Sequence, residues 1–263
     1  MIKVLSVLKE YLSSYKDTLN NINVFPIADK DTGSNICKTL SLDNCSSFED
    51  VKNQILMKAR GSSGNIIALF AMGLWENKSD NLYEMCSKAA QFAWDTMFEP
   101  VEGTILTAMK DVPKEYDTLE DFIYKYVENT KNNLLKGPDL LPVLKENNTL
   151  DSGTLGFLYI LCGIYKGLTG KDITPDIKVE KVEGKLSEVD YKYCVEVLFK
   201  ADDDVFLDYM IDSIRPIGNE LILIRQGNLS KLHIHTNEHE TVFKEINRLF
   251  DVLEVKIDNM VFV

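Results

Sequence analysis

The feature that most limits how this chain can fold is a change of hydrophobic period near residue 190. Up to about residue 170 apolar positions return every three to four residues, as in Val4, Leu5, Leu8, Tyr11, Leu12, Tyr15 and Leu19, one stripe of a first helix. The same period predicts helices over 34–42, 48–60, 64–76, 79–98, 103–111, 118–136 and 153–169. Polar, Gly-bearing corners such as DKDTG and RGSSG separate them. Beyond residue 190 the period shortens to two. VEVLF (195–199), LILI (221–224), KLHIH (231–235) and LEVKI (253–257) read as strands, with helices over 202–213 and 239–250.

The order β-α-β-β-α-β after residue 190 is the ferredoxin-like arrangement. The expected fold class is therefore a mainly α N-terminal domain, residues 1–170, followed by a small α+β ferredoxin-like domain, residues 190–263. The charged segment 171–189, with Pro175 and Gly184 and no apolar stripe, reads as a linker. With 263 residues, 45% of them hydrophobic, the chain has enough apolar material for ordinary cores, and Trp75, Trp94 and Phe98 at helical spacing are assigned to them. The net charge of −12 repels phosphate backbones and anionic lipid, so no nucleic acid is expected as a partner. The apolar run LGFLYILCGIY (155–165) falls short of the roughly 20 residues of a membrane span and reads as a buried helix, so no membrane insertion is expected. Five cysteines without a CxxC pair and an N-terminus without a signal segment suggest reduced thiols and a cytoplasmic location.

Chemistry concentrates in four corners. In NVFPIADKDTGSN (23–35), Asp29 and Asp31 are two apart, so an extended backbone would project both carboxylates to one side, where Mg²⁺ finds oxygen ligands. Asn23 offers an amide oxygen, and Thr32, Gly33 and Ser34 open a helix whose free N–H groups suit phosphate oxygens. An ordinary turn or helix cap explains the same residues equally well. ARGSSGN (59–65), EGTILT (102–107) and LDSGTLG (150–156) are further small-residue corners at helix starts, the last two each with a carboxylate, Glu102 and Asp151, for which capping alone is sufficient.

These four segments, in this order, resemble the signature segments of the dihydroxyacetone kinase L-subunit-like family, in the branch of the bacterial fatty acid kinase ATP-binding subunits. YCVEVLF with HIHTN extends the resemblance into the second domain. The resemblance implies a barrel of antiparallel helices holding ATP and two Mg²⁺ ions in the loops at one end. It implies Asp29 and Asp31 as Mg²⁺ ligands, Asn23 at the position of a third, and Thr32, Gly33, Ser34, Asn35, Ser62, Ser63 and Gly64 along the phosphates. Gly103, Thr104, Asp151, Ser152 and Gly153 would border the nucleotide. The implied activity is a Mg·ATP-dependent kinase forming an acyl phosphate on a carboxylate, with a fatty-acid carrier protein as partner and a homodimer as the assembly. A small hydroxyl substrate of the dihydroxyacetone type, or a regulatory adaptor that binds nucleotide without turnover, are the alternatives. Where the family pattern has Gly between the aspartates and Pro before them, this chain has Lys30 and Ala28; strand geometry would turn Lys30 away from the metal side. DSGT stands for the usual DSGG, and Lys110 takes the place of the basic residue after EGTILT.

In the second domain, His233 and His235 leave the same face of one strand. The first and third strands of a ferredoxin-like sheet are neighbours, so Cys194, out of phase with Val195, Val197 and Phe199, can reach the same face. One thiolate with two imidazoles is a zinc ligand set, and the resemblance implies Zn²⁺ at these positions; Glu196, Asp190 or water could complete the shell. His239 reads as solvated, and Asp202, Asp203 and Asp204 as a helix start.

Overall fold

The computed structural model describes residues 2–179, 182 and 190–260, and most of the second half of the expected linker, residues 180, 181 and 183–189, lies outside the described residues. The chain divides into two compact units, one of residues 1–95 and 100–187, the other of residues 96–99 and 188–263. The first unit is helical: α1 (Ile2–Asn21), α2 (Thr32–Thr39), α3 (Phe48–Lys58), α4 (Gly61–Glu76), α5 (Leu82–Thr96), α6 (Ile105–Lys110), α7 (Leu119–Leu140), α8 (Pro142–Glu146) and α9 (Ser152–Thr169). The apolar helix α9 is the axis of this unit. It is buried on nearly every side and packs chiefly against α1 and α7. Phe157 sits edge-on between Phe70 and Tyr126, with ring centres 5.6 and 5.5 Å away. Among the described residues no helix is long and apolar enough to cross a membrane.

α1 lies close to α9 because α9 turns glycines toward it. A Cβ on Gly167 would fall 2.9 Å from the backbone Cα of Val4, and one on Gly163 would fall 2.8 Å from Leu8 Cδ1. Two features of the helix pattern depart from the sequence expectation. α7 runs past Gly137 and Pro138, because a proline in the last turn forfeits only one hydrogen bond, and the helix closes with Leu141 N–H on the Gly137 carbonyl at 2.9 Å. α8 has a single turn begun by Pro142, too short to register as a period. Trp75 and Trp94 are half-buried rather than core, with the ammonium groups of Lys52 and Lys110 at 5.5 and 3.9 Å from their ring centres.

The second unit is the sheet β1 (Tyr193–Lys200), β2 (Gly218–Gln226), β3 (Leu229–Thr236) and β4 (Asp251–Asn259), with α10 (Asp204–Ile214) and α11 (His239–Leu249). Strand order is β2-β3-β1-β4 with antiparallel neighbours, the ferredoxin-like topology. Val195, Val197, Phe199, Leu232 and Ile234 form one core with Leu207, Met210, Val242 and Ile246 of the two helices. Asp203 caps α10, accepting from Val205 N–H at 2.8 Å and Phe206 N–H at 3.2 Å. The expected 79–98 helix stops at Thr96, because Met97 forms a bridge to Ile222 and Phe98 packs on the second core.

The glycine contact sets a stability test. Gly167→Leu should lower the thermal midpoint by the equivalent of about 1–3 kcal/mol through overpacking against the α1 backbone. Leu168→Ala, at an exposed neighbour, should leave the midpoint nearly unchanged, and an unchanged midpoint for both would contradict close α1–α9 packing.

Candidate functional site

Asn23 organises the first corner. Its Oδ1 accepts from the N–H groups of Asp31 (3.1 Å) and Thr32 (3.3 Å), and its Nδ2 donates to the Ile27 carbonyl (3.0 Å). Two of the unpaired donors at the start of α2 are thus satisfied, and the helix begins at Thr32 rather than at 34. The Asn23 oxygen expected to face a metal is engaged in shaping the loop. The extended backbone expected through Asp29 and Asp31 does not form either. Lys30 has φ +56°, a left-handed conformation natural to glycine, so a turn brings the two carboxyls together and strand alternation says nothing of where the lysine points.

Direct contacts tie the four corners to one another. Thr32 Oγ1 and Ser152 Oγ are 3.0 Å apart, joining the starts of α2 and α9. Asn35 packs so tightly on Gly61, the first residue of α4, that a Cβ there would collide with its Nδ2, and a Cβ on Gly64 would collide with Thr39 Oγ1. Asp151 is the cap of α9, its Oδ2 accepting from Thr154 N–H and Thr154 Oγ1, both at 2.7 Å. Its carboxyl also receives a backbone hydrogen bond from Ile105, the first residue of α6, and Gly153 rests against the same residue. Thr104 caps α6, and Gly103, at φ +83°, donates to Thr107 Oγ1 at 2.9 Å. Ser34 is held by Asn20, while Ser62 and Ser63 lie in the first turn of α4. The starts of α2, α4, α6 and α9 therefore gather at one end of the unit, each bringing the positive end of a helix.

Against that positive end sits a pair of acids. Burial, then the charge of Asp31 and a hydrogen bond with it, push the Asp29 carboxyl well above the usual carboxylate range. Burial also raises Asp151, partly offset by its hydrogen bonds. Two carboxyls that resist simultaneous ionisation in a half-buried corner suit a divalent cation.

The register of the second unit builds another cluster. Cys194 stands opposite His235, and Glu196 opposite His233, so alternation puts all four on one sheet face, away from the apolar side chains that meet α10 and α11. Ligand atoms of Cys194, His233 and His235 all lie within 4.8 Å of one another. His235 is buried with Nδ1 lacking a hydrogen-bond partner, and burial followed by the neighbouring His233 pushes its pKa well down. A neutral imidazole with an orphaned nitrogen beside a thiol fits a metal ion better than a core. His239 is not in this group; it is half-buried against Tyr193, ring centres 4.3 Å apart, rather than solvated.

Sequence reasoning missed Asn20 as the clamp on Ser34 and a cavity of about 450 Å³ lined by Lys131, Leu144, Lys145, Asn148, Thr149 and Lys178. The cavity adjoins in sequence the cap Asp151, and Thr149 Oγ1 is buried there without a partner. Its only sequence signal was the polar corner Asn147-Asn148, which reads as punctuation.

The Asp29–Asp31 pair makes a pH prediction for the metal-free protein. Because the folded-state pKa of Asp29 is raised, the fold is favoured while the carboxyl is protonated and loses that stability as pH rises above about 4 toward neutrality. Asp29→Asn should therefore melt higher than wild type at pH 7 in chelator, with the gap closing at low pH. A lower melting temperature for the variant at pH 7 would contradict the repulsion.

The DAK2 domain family matches residues 26–166, and the FakA-like middle-domain family, named for fatty acid kinase, matches residues 190–261. Uncharacterized proteins of Staphylococcus haemolyticus and Staphylococcus aureus are each 29% identical to this chain over 95% of its length, and one of Staphylococcus epidermidis is 28% identical over the same share. The matches cover 52%, 53% and 52% of those proteins, so the chain spans about half the length of the curated relatives it matches. The chain belongs to the DAK2-domain, FakA-like family, a kinase-related and nucleotide-related group.

Proposed function

We propose that the chain is the nucleotide-handling portion of a Mg·ATP-dependent kinase that transfers the γ-phosphoryl group to a carboxylate. The observation that carries this reading is the contact of four helix starts with one another, one of which, that of α2, directly follows the paired acids Asp29 and Asp31. Magnesium held by those two carboxylates would neutralise phosphate charge during transfer. The remaining work belongs to positioning. Backbone N–H groups in the first turns of α4 and α9, with the hydroxyls of Thr32, Ser34, Ser62, Ser63 and Ser152, would hold phosphate oxygens, and Thr104 with Gly103 and Gly153 would border the nucleotide. Asn23 supports Asp31 through the loop, its amide oxygen accepting from the Asp31 and Thr32 N–H groups. An acid acceptor is already ionised at neutral pH, so no general base is needed.

A fatty acid presented by a carrier protein is the acceptor we favour, and the cytoplasm the site of action. Cys194, His233 and His235 would hold zinc, and the second unit would serve a homodimer or a docking partner. The presence of Lys30 in the chain between the two acids supports a second reading, an adaptor that binds nucleotide without turnover, since a cation one residue from each would weaken magnesium binding.

Phosphate transfer from γ-labelled ATP to a fatty acid with its carrier protein separates the two. Turnover in the full chain that falls at least about a hundredfold in Asp31→Asn supports the kinase. Tight nucleotide binding with no turnover on acyl or small hydroxyl acceptors supports the adaptor.

A further inference from the structure

We propose that Glu196 is the positioning residue of the second centre, its carboxylate braced by Lys231 so that it fixes the ring of His233 for a bound metal ion. The inference rests on reading Cys194, His233 and His235 as a zinc site and adds two residues to it.

Strand register makes the arrangement. Lys231, His233 and His235 alternate along β3 on one face, and Glu196 on β1 faces His233 directly, with Lys231 and His235 on either side of it. Glu196 Oε1 lies 3.6 Å from His233 Nδ1, and Oε2 lies 4.0 Å from Lys231 Nζ. Both charged residues are buried, at 7% and 6% exposure. A carboxylate and an ammonium buried in a sheet are costly to keep, and an apolar pair of like volume would fill the sheet as well. Glu196 is not itself in the group of mutually close ligand atoms, which among the described residues comprises Cys194, His233 and His235.

The chemistry of a metal-bound histidine explains why a carboxylate is kept there. An imidazole that donates one ring N–H to a carboxylate has its tautomer and orientation fixed and its other nitrogen made a better ligand. His233 Nδ1 also lies 3.6 Å from Cys194 Sγ. Closing the Glu196 contact by about half an ångström brings it into hydrogen-bond range and leaves the thiolate for the ion. Lys231 then holds the carboxylate in place and balances its charge.

The test uses the full chain with zinc alone, its dissociation constant read by competition with a chelator, and with cobalt(II), whose absorption reports sulfur ligation. Wild type should take up one equivalent, and Cys194→Ser should lose the sulfur-to-cobalt absorption while binding measurably more weakly. Glu196→Ala should bind about tenfold to hundredfold more weakly while keeping the sulfur-to-cobalt absorption, and the isosteric Glu196→Gln should fall between. In a His233→Ala background, removing the Glu196 carboxylate should cost nothing further, which a merely structural role would not produce. Unchanged affinity in Glu196→Ala, or an additive loss in that background, overturns the positioning role while leaving zinc binding intact. A wild-type chain that takes up neither metal overturns the zinc reading itself and this inference with it.

Discussion

The mutual repulsion of Asp29 and Asp31 is the constraint around which the first unit is arranged. A backbone left to itself would separate these carboxyls; here a left-handed Lys30 and the hydrogen bonds of Asn23 hold them together. The loop holds because α2 is anchored at both sides, by Asn20 of α1 on Ser34 and by Ser152 of α9 on Thr32. Those anchors in turn depend on α1 seating against the glycines of α9. Helix packing remote from the corner therefore sets the charge geometry within it, and the acids sit at the start of a helix whose neighbours gather their own starts beside it.

Much of this was legible in the sequence, for identifiable reasons. The α1 stripe from Val4 to Leu19 and the alternation in KLHIH are periodic signals, and both produced the expected elements. The convergence of Cys194 with His233 and His235 followed from strand order alone, since β1 and β3 are central neighbours. What escaped detection lacks a period. The turn at Lys30 depends on a residue type that rarely adopts φ above zero, so strand alternation offered a wrong route to the same pairing of carboxyls. Met97 and Phe98 continue a helical pattern, yet Met97 pairs with β2 because tertiary contact outweighs local propensity. Glu196 and Lys231 look like ordinary strand residues until register sets one opposite His233 and the other beside it.

The two units thus concentrate different chemistry by different means. In the first, helix starts separated by tens of residues are drawn together by small side chains and glycines that allow close approach. In the second, the pleat of one sheet separates an apolar face, sealed by α10 and α11, from a face that collects a thiol, two imidazoles, a carboxylate and an ammonium. Both devices place titratable groups where water is scarce, and both shift a group toward its uncharged form, Asp29 upward in one and His235 downward in the other.

The most direct test of the central claim is calorimetric titration of the full chain with ATP or ADP, with and without magnesium, in wild type and Asp29→Asn. If the paired acids hold a metal that carries the nucleotide, binding will require magnesium in wild type and fall below detection in the variant while its fold persists. Nucleotide bound equally well without magnesium, or equally well by Asp29→Asn, would contradict that account.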